Sequence, residues 1–142
     1  MILVDANLLI YATMSGTPQH AAARSWLDEK LNGRFQVGLS WSSLLAFLRI
    51  TSNPRLFEHP MTLKAALHQV STWLSVPVVW IPAPTERHYE LVSSLLADQT
   101  RSDLVTDAHQ AALAIEHGLV LCSTDGDFEL FAGLRWENPL SP

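Results

Sequence analysis

The sequence predicts an α/β fold with a mainly parallel central sheet, and three observations carry that reading. Short apolar runs alternate with longer helical patterns along the whole chain, the arrangement that builds parallel sheets through helical crossovers. The apolar runs are continuous, as expected of strands covered on both faces. Acidic residues stand where two of these runs end, and open parallel sheets carry their sites at the carboxyl ends of their strands.

Taken in order, "MILVD" at 1–5 reads as a short buried strand, and Asn7 can cap the following helical turn with its side-chain oxygen. "TPQHAAARSWLDEKLNG" reads as a helix, with Thr17 as N-cap, Pro18 at the first helical position and Gly33 following Asn32 at the stop. "FQVGL" is a second strand, and Ser40 opens the apolar helix "SWSSLLAFLRI". After the proline-containing loop "TSNPRLFEHP", "TLKAALHQVSTWL" is helical, with Leu63, Ala66, Leu67, Val70 and Leu74 near one face. "VPVVWIP" is a strand bracketed by prolines, and "TERHYELVSSLLAD" is another helix. "DLVTDAHQAALAIEHG" has the clearest helical period, with Ala108, Ala111, Ala112 and Ile115 on one face and Gly118 at the stop. "LVLCS" is the next strand, "DFELFAG" a short helical turn, and "LRWENP" an edge strand.

The 142 residues fit one domain spanning 1–142. With 48% apolar and 16% charged residues, a disordered or acidic-tail chain is excluded. No apolar run approaches the roughly 18 residues of a membrane span, so no membrane partner is expected. "MILVDANLLIYA" lacks a basic leader and is interrupted by Asp5, so it reads as strand and turn, and a cytoplasmic location is expected. The single cysteine, Cys122, excludes an internal disulfide and reads as a small core residue. A net charge of −5 argues against a broadly basic nucleic-acid surface. That objection weakens if the acids gather in one metal-neutralised pocket, leaving Arg24, Arg34, Arg49, Arg55 and Arg101 free to meet phosphates.

The acids do converge on this reading. Asp5 ends the first strand, and Asp125 and Asp127 follow the strand at 119–123. If both strands are central and parallel, their carboxyl ends share one sheet edge. Asp107, in the first turn of the helix at 104–117, sits beside that helix's buried face. Asp103, four residues earlier, reads as a cap, and Asp107 also suits the positive end of the helix dipole. Two unit charges about 4 Å apart repel by about 4 kcal/mol at an effective dielectric near 20, so clustered carboxylates share protons or bind a cation. All-oxygen ligation suits Mg²⁺ or Mn²⁺. Zinc does not fit, because the six histidines show no metal spacing, and His109 and His117 read as exposed helix positions. The residues thus point to Mg²⁺-dependent phosphoryl transfer or hydrolysis.

The chain resembles the PIN-domain ribonucleases, and within them the VapC-like toxins of bacterial toxin–antitoxin pairs. The resemblance is nearly end to end. It is carried by "ILVDANLLIYA" at 2–12, "LLAFLRITSNPRLF" at 44–57, "LVTDAHQAALAIEHG" at 104–118 and "STDGDFELFAGLRWENP" at 123–139. It implies a three-layer α/β/α PIN-like domain. By position it assigns the family's N-terminal metal-binding aspartate to Asp5 and the asparagine two places later to Asn7. It also assigns the late-helix aspartate to Asp107, the turn aspartate to Asp125 with Thr124 as its polar neighbour, and a further acid to Asp127. The implied activity is an Mg²⁺- or Mn²⁺-dependent endoribonuclease, in which metal-activated water leaves a 5′-phosphate and a 3′-hydroxyl on RNA. Asp5 and Asp107 would be the principal ligands, Asp125 would complete the pocket and Asp127 would be auxiliary. The resemblance also implies a homodimer and a cognate VapB-like antitoxin. That antitoxin would lie near Leu8, Leu9 and Trp41 and could push a basic side chain into the pocket. Trp41 and Arg49 are candidate contacts for RNA or antitoxin, with a core aromatic and a helix-end charge as their plain alternatives.

One position departs from the pattern. Many members carry a glutamate where this chain has Ala46, which can neither ligate metal nor accept a proton. A second reading is therefore a degenerate PIN domain that binds RNA or a partner without cleavage. A third is a haloacid-dehalogenase-like phosphatase with Asp5 as nucleophile. It is opposed by Asn7 in place of a second aspartate and by lysines only at positions 30 and 64, both in helices.

Overall fold

The computed structural model describes residues 1–141. Ile2–Val4 forms β1, which pairs in parallel with β2 (Val37–Gly38) on one side and β4 (Val120–Cys122) on the other. β3 (Val79–Trp80) extends the sheet beyond β2, and β5 (Trp136–Glu137) forms its other edge, giving the order β3-β2-β1-β4-β5. Every pairing is parallel. The chain builds outward from β1 in one direction and returns to start β4 on β1's other side. The carboxyl ends of β1 and β4 therefore flank the switch point, where such sheets open a crevice.

Six helices cover the sheet: α1 (Ala6–Thr13), α2 (His20–Leu31), α3 (Trp41–Thr51), α4 (Leu63–Leu74), α5 (His88–Leu96) and α6 (Val105–His117). Successive strand residues point to opposite faces, and that alternation sorts the core in two. Val4, Val37, Leu39 and Cys122 pack with α1 to α4 through Leu8, Leu9, Leu44, Phe47 and Trp73. Leu3 and Leu121 pack on the other face with Leu104, Ala108, Ala111, Phe128 and Phe131, backed by Val92 and Leu95 of α5. This is the expected α/β/α sandwich. Among the described residues no helix is long and apolar enough to cross a membrane.

Several boundaries differ from those read in the sequence. α2 begins at His20, two residues after Pro18, because the Thr17 hydroxyl donates to the Met14 carbonyl at 2.8 Å instead of capping the helix. The cap of α1 is Asp5, whose Oδ1 accepts from the Ala6 amide, while Asn7 lies inside the helix. Asp103 does not cap α6; it sits in a 3₁₀ turn, Ser102–Leu104, and pairs with Arg101. α4 buries Ala66, Val70 and Trp73 and leaves Leu63, Leu67 and Leu74 exposed. Ser40 caps α3 as expected, its Oγ accepting from the Ser43 amide. Gly118 ends α6 in the left-handed conformation, φ 67°.

Gly38 is the tightest point of the sheet. A Cβ there would lie 2.9 Å from Pro82 Cγ and 3.2 Å from the Ile2 carbonyl oxygen. Gly38→Ala should therefore lower stability by about 1–3 kcal/mol through overpacking, read as a lower urea midpoint at unchanged slope.

Candidate active site

β1 ends at Val4 and β4 at Cys122, and these two residues are register partners. The residues immediately after them, Asp5 and Ser123, therefore stand side by side. The Ser123 hydroxyl donates to Asp5 Oδ2 at 2.7 Å, and its oxygen accepts from Asn7 Nδ2 at 3.1 Å and from the Asp125 amide at 3.0 Å. One fully buried hydroxyl thus ties the end of β1, the first turn of α1 and the turn after β4. Asp125 then caps the 3₁₀ turn Gly126–Leu130, its Oδ1 accepting from the Asp127 amide at 2.9 Å. α6 contributes Asp107 from its first turn.

Asp107, Asp125 and Asp127 each offer a carboxylate oxygen, and these oxygens all lie within 4.8 Å of one another. Burial pushes the Asp107 carboxyl up to about 6, reinforced by the charges of Asp125, Asp5, Asp127 and Asp103. Asp5 is also raised, first by burial and then by Asp125, against hydrogen bonds from Ser123 and Ala6 and a contribution from Gln110. Both carboxylates therefore strain against ionisation in one shared pocket, the condition a cation relieves. Asp5 stands beside the trio with both oxygens engaged by protein donors.

The donor set fits a hard divalent cation. It is all oxygen, with no histidine or thiol in the group. Asn7 Oδ1 is buried without a protein partner, which leaves a neutral oxygen for a bound water or an ion's hydration shell. Ala46 supplies no acid, and Glu58 is no replacement, since it lines a different cleft with Thr13, Met14 and Phe57.

Behind Asp5 lies a buried polar cluster that sequence reasoning missed. Gln110 Oε1 accepts from Ser40 Oγ at 2.6 Å and Ser42 Oγ at 3.0 Å, and its Nε2 donates to Ser43 Oγ at 2.8 Å. The glutamine, only 3% exposed, lies three residues beyond Asp107 on α6 and bears on Asp5. Its signal was a polar residue inside the apolar face of the most regular helix. Ser123 gave no such signal, and Thr124, chosen in its place, makes no side-chain hydrogen bond among the described residues.

Other expectations change as well. Leu8 and Leu9 are fully buried and cannot receive a partner. Trp41 is 51% exposed and Leu45 57%, so Trp41 is not a core aromatic, and Arg49 is exposed on the same helix. His109 and His117 are not exposed helix positions. His88 Nε2 lies 2.9 Å from His109 Nδ1, and His88 Nδ1 lies 2.7 Å from Glu116 Oε2, joining α5 to α6. His117 Nε2 bonds the Ala83 carbonyl at 2.7 Å. Arg101 is not free: it holds Asp103 and Asp127.

The PIN domain family model matches residues 2–134. The chain is 41% identical over 140 residues to Ribonuclease VapC37 of Mycobacterium tuberculosis, covering 98% of this chain and 97% of that protein. Its backbone resembles the crystal structure of M. tuberculosis VapC20, a sarcin–ricin loop cleaving toxin, with TM-score 0.69 and 22% identity over 95% of this chain and 99% of that one. It also resembles VapBC2 of Rickettsia felis bound to a promoter DNA fragment, with TM-score 0.68 and 15% identity over 97% of this chain and 98% of that one.

Proposed function

We propose, from the premise that this chain belongs to the PIN-domain family and within it to the VapC ribonucleases, that it is a divalent-metal-dependent endoribonuclease held in check by a VapB-like antitoxin. The observation that carries the reading is the meeting of Asp107, Asp125 and Asp127 within 4.8 Å beside the partly buried Asp5. Asp107, Asp125 and Asp5 would hold the cation, with Asp127 auxiliary and Asn7 offering its orphaned oxygen. Mg²⁺ or Mn²⁺ bound there would supply a water of lowered pKa and neutralise charge developing on a phosphodiester.

The chain's own residues do the rest. Ser123 aims Asp5, and its hydroxyl is the strongest influence opposing the rise that burial imposes on that carboxyl. Asp107, protonated to about 6 without metal, must release its proton to become a ligand. Cation uptake should therefore weaken as pH falls through that value. Exposed Trp41 and Leu45 offer an apolar surface suited to an antitoxin helix, and Arg49 a phosphate or partner contact. The homodimer expected of the family has Leu63, Leu67 and Leu74 of α4 as its candidate face.

Incubating purified protein with RNA should give fragments bearing 5′-phosphates in Mg²⁺ and none in chelator. RNA that is bound with Mg²⁺ present but left intact would favour the degenerate reading, for which Ala46 is the specific observation. A phosphorylated Asp5, by contrast, would revive phosphatase chemistry.

A further inference from the structure

We propose that Arg101 is a built-in counter-cation that occupies Asp127 and holds down the affinity of the acidic trio for a divalent ion. The inference rests on the metal-site reading above and concerns its regulation. Arg101 Nη2 donates to Asp127 Oδ2 at 2.9 Å and Nη1 to Asp127 Oδ1 at 3.4 Å. On its other side Nε donates to Asp103 Oδ1 at 3.2 Å and Nη2 to Asp103 Oδ2 at 2.7 Å. The guanidinium forks two carboxylates at once, a geometry lysine cannot reproduce. One of the two belongs to the trio whose oxygens converge.

The competition follows from charge. A divalent ion that draws on Asp127 must share that carboxylate with a cation already seated on it. Arginine does not deprotonate in a protein, so it yields only by swinging away. The side chains of Arg101 and Asp127 are 47% and 37% exposed. Exposed pairs open readily, so Arg101 tunes affinity without blocking the site. Asp103 anchors the other half of the fork and keeps the guanidinium at the rim when the Asp127 bonds open.

Mn²⁺ binding to the metal-free protein, followed by the electron paramagnetic resonance signal of free Mn²⁺, tests this without reference to cleavage. Arg101→Gln should bind Mn²⁺ about threefold to tenfold more tightly than wild type, with Arg101→Lys in between. In an Asp127→Asn background the Arg101→Gln gain should fall below twofold. Unchanged or weaker binding in a folded Arg101→Gln would overturn the proposal. So would an equal gain in the Asp127→Asn background, which would make the effect one of general charge. Equal Mn²⁺ uptake by wild type and Asp107→Asn, or none by either, would instead reject the metal site itself.

Discussion

Asp107→Asn is expected to reduce RNA cleavage by about 10³-fold while leaving the metal-free protein as stable as wild type or more so. The two effects have one cause. In the unfolded chain Asp107 titrates near its ordinary 3.8, whereas in the fold burial and four neighbouring acids hold its proton to about 6. The group therefore favours the fold most below 3.8, and that advantage is lost as pH rises through about 6. Allowing for the solvent that still reaches it, the swing is about 1 kcal/mol. An asparagine carries no charge into the pocket and removes the dependence. Urea unfolding of the metal-free proteins from pH 4 to 8 should give a wild-type curve that declines through that window and a flatter mutant curve. Asp5 is raised in the same direction and adds to the wild-type slope. Saturating Mg²⁺ should abolish the decline in wild type and leave the mutant unaffected. Cleavage that survived both Asp107→Asn and Asp5→Asn would point to a contaminating nuclease and sink the assignment.

The legible part of the fold is the part that local pattern decides. β1 and β4 could be read because each is a pure apolar run ending beside an acid or a polar turn, and α6 because its alanines repeat at helical spacing up to a glycine stop. Where two patterns overlap, sequence reasoning merged them, placing Leu63, Ala66, Leu67, Val70 and Leu74 near one face. α4 carries two apolar stripes, Leu63–Leu67–Leu74 and Ala66–Val70–Trp73, and periodicity does not say which faces inward. The second does, because Trp73 packs edge-on against Phe47 at 4.8 Å between ring centroids. The start of α2 failed similarly, because a threonine before a proline looks like a cap whether or not its hydroxyl is already committed to the Met14 carbonyl.

At the site, the acids were readable because carboxylates at strand ends are conspicuous in a chain with so few charges. Their partners were not. Ser123 becomes a hub only through the Val4–Cys122 register, and Gln110 meets Ser40 and Ser43 across some seventy positions of sequence. Such links are set by tertiary pairing, which a linear reading of one sequence does not contain. Arg101 belongs to the same class: as a sequence it was one of several cations available to phosphates, and in the fold it is already spent on two aspartates.

Ser123→Ala should then have the second largest effect, of about 2–3 kcal/mol in stability, larger than a single surface serine warrants. The hydroxyl is fully buried and serves three groups, so its loss strands Asn7 Nδ2 and the Asp125 amide and removes a donor from Asp5. Partly buried groups left without partners account for most of that figure. A second consequence separates positioning from mere packing. The Ser123 bond opposes the rise that burial imposes on Asp5. Without it the Asp5 carboxylate should hold its proton to a higher pH, and the acid limb of the cleavage profile should move upward. Urea midpoints test the first effect, and cleavage rates across pH 5 to 8 on fully folded protein test the second. A destabilised Ser123→Ala whose acid limb stayed where wild type has it would reduce Ser123 to a structural brace. An upward shift would mean that the serine tunes the protonation of Asp5, because a partly buried strand-end acid gives up its proton more readily when a donor is fixed against it.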